Sequence, residues 1–220
     1  MGSQTTPHKY SKEYLEHLLN ADRNAAANLV FEAIDNGVGI KDIYMDIFQA
    51  SQHEVGRLWQ NNEISVAQEH FCSAATQMIM SQLYPKIFNS EKNGLRLVAT
   101  CVGGELHEIG LRMVTDFFEM EGWDTYYLGA NTPIESILST IETYKADVLA
   151  ISTSMTFHIE KTRALIKEIK DSDVGKDTLI LVGGRPFNLA QDLWKKVNAD
   201  AFASDAMQAI SVMEKQLSVN

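Results

Sequence analysis

The stretch LRLVATCVGGELHEIGLRMVTDFFEM, residues 95–120, sets the reading of this chain. LRLVATC (95–101) is a short apolar run of strand type, and LHEIGLRMVTDFFEM (106–120) has helical spacing. The turn between them places a histidine, His107, among acids, with glycines before and after. A strand followed directly by an amphipathic helix is the first half of a βαβ unit.

The same rhythm continues to the end of the chain. WDTYYLG, ADVLAIST, TLILVGG and ADAFAS read as strands. PIESILSTIETYK, HIEKTRALIKEIK, FNLAQDLWKKV and AMQAISVMEKQL read as the helices that follow them. Five β–α units predict a parallel sheet covered on both faces, with flavodoxin-like strand order and ligands at the carboxyl ends of the strands. This α/β domain is expected over residues 94–220.

Upstream the period changes. Residues 10–90 read as helix throughout, with apolar residues at helical spacing from Tyr14 to Leu19, Leu29 to Ile34 and Ile40 to Phe48. Gly37 and Gly39 mark one stop and QNNE (60–63) another. Ser65 and Gln68 have the spacing of a capping box opening a fourth helix, which is expected to run to about Pro85. The prediction is a four-helix bundle ahead of the α/β domain, with EKNG (91–94) as the boundary and residues 1–9 as a disordered or tag-like lead-in.

Composition narrows the class. The 220 residues are 45% apolar and 22% charged, ordinary for a globular protein. A net charge of −10 and the lack of any Lys/Arg run argue against direct nucleic-acid binding. No apolar stretch has a membrane span's length, and the polar start MGSQTTPH has no signal-peptide pattern. Two cysteines without metal spacing, Cys72 and Cys101, fit a reducing cytoplasm.

The loops at the carboxyl ends of the strands carry the chemistry. They are VGGELHEIG, STSMTF (152–157) and GGRPF (183–187). Glycine pairs let a bulky ligand approach the backbone. Glu105, two residues before His107, can hold one imidazole nitrogen and leave the other for a metal, the usual support of a metal-ligating histidine. A structural or merely solvated histidine is the plain alternative. No Cys, His or Asp cluster in these loops completes a protein-only metal site. If His107 binds a metal, the other ligands come with a cofactor, as in a corrin, which fills four positions on cobalt.

The spacing is Glu105-x-His107-x-x-Gly110, then 41 residues, then Ser152, then Gly183-Gly184. It resembles the cobalamin-binding domain family, whose pattern is DxHxxG, SxL and GG. The resemblance implies that His107 is the lower axial ligand of cobalt. It also implies that the displaced dimethylbenzimidazole tail lies beside the serine and glycine loops. Glu105 departs from the family's Asp, and Ser154 stands where SxL has Leu.

In the helical half, Trp59, nine residues and then Glu69-His70 form a Wx9EH pattern. This resembles the light-sensing cobalamin photoreceptors of the CarH type. There the tryptophan and the Glu-His pair enclose the adenosyl group of adenosylcobalamin. Val66, Glu69 and His70 share one helix face. Gln60 departs from the photoreceptors' histidine after the tryptophan. No DNA-binding domain like theirs is expected ahead of the bundle.

The leading expectation is therefore a cytoplasmic, non-enzymatic light sensor. It holds adenosylcobalamin between bundle and sheet domain and acts on transcription through oligomer change or a regulatory protein partner. Two alternatives stay open: a corrinoid methyl carrier of a methyltransferase system, holding methylcobalamin or hydroxocobalamin, and a flavodoxin-like domain that binds something else.

Overall fold

The computed structural model describes residues 6–88, 91–190 and 192–218. The chain divides between residues 86 and 87 into a helical unit and an α/β unit.

The helical unit has four helices in chain order. They are Thr6–Leu19, Arg23–Asp35, an unbroken stretch over residues 40–60, and Val66–Ile87. Asp22 caps the second, accepting from the Ala25 amide at 2.9 Å. Ser65 and Gln68 form the expected capping box: Ser65 Oγ accepts from the Gln68 amide, and Gln68 Oε1 accepts from the Ser65 amide. Tyr14, Leu18, Val30, Tyr44, Phe48, Ile79 and Leu83 are wholly buried at the centre. Phe48 sits edge-on or tilted against Tyr44 and Tyr14. Tyr14 satisfies its buried hydroxyl on Thr76 Oγ1 at 2.9 Å.

Two local features differ from the sequence reading. The first helix begins at Thr6 rather than near Tyr10; residues 1–5 of the expected lead-in lie outside the described residues. The third helix winds as a π-helix over Ile43–Gln49, which hydropathy spacing does not register because the same apolar residues stay buried.

In the α/β unit the strands are β1 Arg96–Cys101, β2 Asp124–Gly129, β3 Val148–Ser152, β4 Leu179–Gly183 and β5 Ala201–Ala203. All pair in parallel, in the order β2-β1-β3-β4-β5, the flavodoxin-like order expected. Helices Ile134–Tyr144 and Ile159–Asp171 pack on the face made by Val98, Leu149, Ile151, Ile180 and Val182. Helices Ile109–Met120 and Ala206–Ser218 cover the face made by Leu97, Ala99, Cys101, Ala150, Leu181, Ala201 and Ala203. FNLAQDLWKKV, expected as one short helix, forms two: Arg185–Leu189 and Leu193–Lys196. Arg185 opens the first directly after Gly184, with Pro186 in its first turn, so the loop following β4 is nearly absent.

The register aligns Cys101, Ser152, Gly183 and Ala203 in one row across the carboxyl ends of β1, β3, β4 and β5. By the alternation of strand side chains, all four point to the same face of the sheet. On that face side chains are large at the amino ends, where Leu97, Val148 and Leu179 stand, and small at the carboxyl ends.

Candidate functional site

The loop after β1 turns tightly. The Glu105 amide donates to Val102 O at 2.9 Å, and Gly104 takes φ +86°, a conformation that favours glycine. The turn drives Glu105 inward, 1% exposed, and leaves His107 outside, its side chain 55% exposed.

Glu105 accepts with both oxygens. Oε1 takes the His107 amide at 3.1 Å and His107 Nδ1 at 2.5 Å. Oε2 takes the amides of Ser154 and Met155, at 2.8 and 3.0 Å, and His158 Nδ1 at 3.3 Å. Burial by itself raises this carboxyl group's pKa. The hydrogen bonds from His107, Ser154 and His158 outweigh it and hold the group well below the usual carboxylate range. Glu105 is therefore a buried anion at neutral pH, and His107 Nδ1 donates to it. Coordination of a metal by this imidazole then runs through Nε2.

The surroundings fit a large planar group with a tail. A Cβ built at Gly103 or at Gly110 meets nothing within 4 Å, so neither glycine is required by the packing of the chain around it. Gly184 is different. At φ +113° its Cβ would stand 2.0 Å from Thr153 O, so this glycine lets the backbone after β4 lie on the loop after β3. The row of Cys101, Ser152, Gly183 and Ala203 places small side chains at the carboxyl end of the face that helices Ile109–Met120 and Ala206–Ser218 cover. Among the described residues no group of three or more His, Cys, Asp or Glu could hold a metal ion, so His107 would complete a ligand set that arrives with a cofactor.

The structure thus gathers Glu105, His107 and Ser154 in one hydrogen-bonded unit, with Gly110, Ser152, Gly183 and Gly184 on the same carboxyl edge. Ser154 enters through its backbone amide, so its replacement of the family's Leu leaves that contact intact. The sequence reading missed three partners of Glu105: the amides of Ser154 and Met155, and His158. The signal for His158 was only its place just after the third strand's loop. Nothing in spacing alone shows a second imidazole turning back to a carboxylate 53 positions away.

In the helical unit, Glu69 Oε2 lies 2.6 Å from His70 Nδ1. Its Oε1 accepts from Ser73 Oγ at 2.8 Å. Val66 stands exposed at the start of the same helix. Trp59, near the end of the helix before it, is 39% exposed and makes no ring contact or side-chain hydrogen bond among the described residues. Glu69 and His70 are brought together; Trp59 is not joined to them.

Comparison with known proteins adds the family. One model described as "B12 binding domain" matches residues 95–211, and a second of the same description matches residues 10–84. The dimethylamine corrinoid protein 1 of Methanosarcina acetivorans is 25% identical over 215 residues, 94% of this chain and 98% of that protein. The structure of the Methanosarcina barkeri monomethylamine corrinoid protein superposes with a TM-score of 0.82 at 21% identity, covering 96% of this chain and 99% of that one. The methanol:cobalamin methyltransferase complex MtaBC from Methanosarcina barkeri gives a TM-score of 0.53 at 16% identity, covering 96% of this chain and 81% of the matched one.

These findings overturn the expectation of a CarH-type light sensor acting on transcription. The full-length similarity is to corrinoid proteins named for methylamines and favours the methyl-carrier alternative. The misreading rested on Trp59, Glu69-His70 and the Glu105 of ExHxxG, a short signature on a fold shared with the monomethylamine corrinoid protein, against the contrary sign of Gln60. The expectation of a corrinoid cofactor stands, and no helix among the described residues is long and apolar enough to cross a membrane. The chain belongs to the B12-binding domain family, and its cofactor is a corrinoid.

Proposed function

We propose that this protein is the corrinoid subunit of a methyltransferase system, a methyl carrier that is not catalytic by itself and works between methyltransferase partners. The observation that supports this most is the Glu105–His107 pair, an imidazole fixed by a buried carboxylate at the carboxyl edge of the sheet. The corrinoid supplies a cobalt centre able to accept and release a methyl group.

In this reading His107 would hold the cobalt of the corrinoid through its imidazole. Glu105 fixes its ring orientation and raises its basicity as a ligand. The amides of Ser154 and Met155, with His158, keep Glu105 ionised. Gly110, Ser152, Gly183 and Gly184 line the place of the cofactor's tail. Trp59, Val66, Glu69 and His70 are the helical unit's cofactor-binding residues. The resident upper ligand is methyl rather than adenosyl, in keeping with the full-length relatives.

The test loads the protein with hydroxocobalamin, reduces it to the cobalt(I) state with titanium(III) citrate, and offers a labelled methyl donor together with a corrinoid-dependent methyltransferase pair. Label that travels with the loaded protein, and then passes to a thiol acceptor, is the expected result. In protein labelled with 15N-histidine, the electron paramagnetic resonance spectrum of the reduced, cobalt(II) form should show a 15N doublet that His107→Ala loses, which separates the protein imidazole from the cofactor's own base. A loaded protein that never acquires label, or a spectrum unchanged by His107→Ala, defeats the proposal.

A further inference from the structure

Beyond residue 94, the large apolar side chains left exposed among the described residues are Leu106, Tyr144, Met155, Phe157, Leu189 and Met207. All except Tyr144 lie in the segments that follow the carboxyl ends of β1, β3, β4 and β5. Exposed apolar side chains gathered at one edge of a domain mark a binding surface.

Three of them share a frame with His107. Leu106, 70% exposed, lies between Glu105 and His107. Met155, 36% exposed, donates its own amide to Glu105 Oε2. Phe157, 69% exposed, packs edge-on against the His158 ring, with centroids 4.3 Å apart, and His158 holds the same oxygen. One buried carboxylate therefore sets the position of the histidine and of three outward apolar side chains. None of the three is among the motif residues of the domain.

We infer that Leu106, Met155 and Phe157 form an apolar collar around His107 that seats the underside of the corrin ring, independently of the cofactor's nucleotide tail. This rests on the corrinoid reading and adds specificity residues to it. A corrin presents a broad, largely apolar face around its metal. A collar carried on two loops that His107, Ser154, Met155 and His158 tie to Glu105 offers that face a preformed seat, and burying it removes apolar area from water on both sides. The collar makes the protein competent to hold corrinoids that lack the lower nucleotide, with the small-residue row contributing only when a tail is present.

The test titrates the full-length protein with diaquocobinamide, which has no nucleotide tail, and separately with hydroxocobalamin. Both are followed by absorption and by tryptophan fluorescence. Because Leu106 and Phe157 are exposed, the double variant Leu106→Ser, Phe157→Ser should keep the wild-type Tm and circular dichroism. Its affinity for both corrinoids should fall by about tenfold per residue. Tyr144→Ser, at the opposite end of the sheet, should bind as wild type. Unchanged cobinamide affinity in the double variant overturns the collar. So does a defect seen only in docking of a methyltransferase, which would make this edge a protein interface. Wild-type protein that binds neither corrinoid is a different result: it defeats the corrinoid reading itself.

Discussion

Glu105 holds His107 at two points with a single oxygen, the backbone amide at 3.1 Å and the ring Nδ1 at 2.5 Å. Its second oxygen grips the loop after β3 through Ser154, Met155 and His158. One buried anion thereby joins two loops that strand pairing alone would leave independent. Five donors meet it, which is why it stays charged in a place where burial opposes charge.

Glu105→Gln keeps the shape and removes one acceptor. Whichever way the amide lies, its nitrogen faces N–H donors, and buried donors go unsatisfied. The apo protein should lose about 3 kcal/mol of stability, read from urea denaturation. An unchanged midpoint would mean that this carboxylate does not organise the loops.

His158→Ala takes away one donor and leaves the two backbone amides on Oε2. The expected loss is about 1–2 kcal/mol, smaller than for Glu105→Gln. In the corrinoid-loaded protein, His107 should still ligate, because its own contacts are on Oε1. Loss of the imidazole signal in His158→Ala would show that Oε2 governs the ligand as well.

Two glycines of the carboxyl edge should respond in opposite ways. Gly184→Ala forces a Cβ toward Thr153 O at a positive φ and should cost upwards of about 3 kcal/mol or abolish folding. Gly110→Ala has open space within a helix and should hold or raise stability by up to about 1 kcal/mol. It should nevertheless weaken corrinoid binding, measured by spectral titration. Equal corrinoid affinity in Gly110→Ala would remove this glycine from the cofactor's footprint.

Cys101 gives an alkaline signature. Burial first, then the negative charges of Glu108 and Glu105, push its thiol up to about 12. The unfolded thiol titrates near about 8.5. A folded-state value above the unfolded one means that its contribution is complete below about pH 8.5 and drains away as pH rises toward 12. Wild type should therefore lose stability faster than Cys101→Ala in that range, by about 1.4 kcal/mol per pH unit at most. Parallel stability–pH curves would contradict this.

The sequence by itself determined the layout. Periodicity of 3.6 before residue 90 and the strand–helix alternation after it are properties of short windows, so they survive translation into four helices and a five-stranded parallel sheet. Glu105 and His107 were legible as a pair because two residues of loop can bring a carboxylate to an imidazole. The choice between sensor and carrier was not legible in a short signature on a common scaffold; similarity along the whole chain favours the carrier. Tertiary structure alone decided the rest. Parallel register carried Cys101, Ser152, Gly183 and Ala203 into one row from four separate strands. Folding of the loop after β3 against the loop after β1 placed His158, Met155 and Phe157 around Glu105. Those contacts span about 50 residues and are fixed by which strands lie side by side, and no local pattern encodes that.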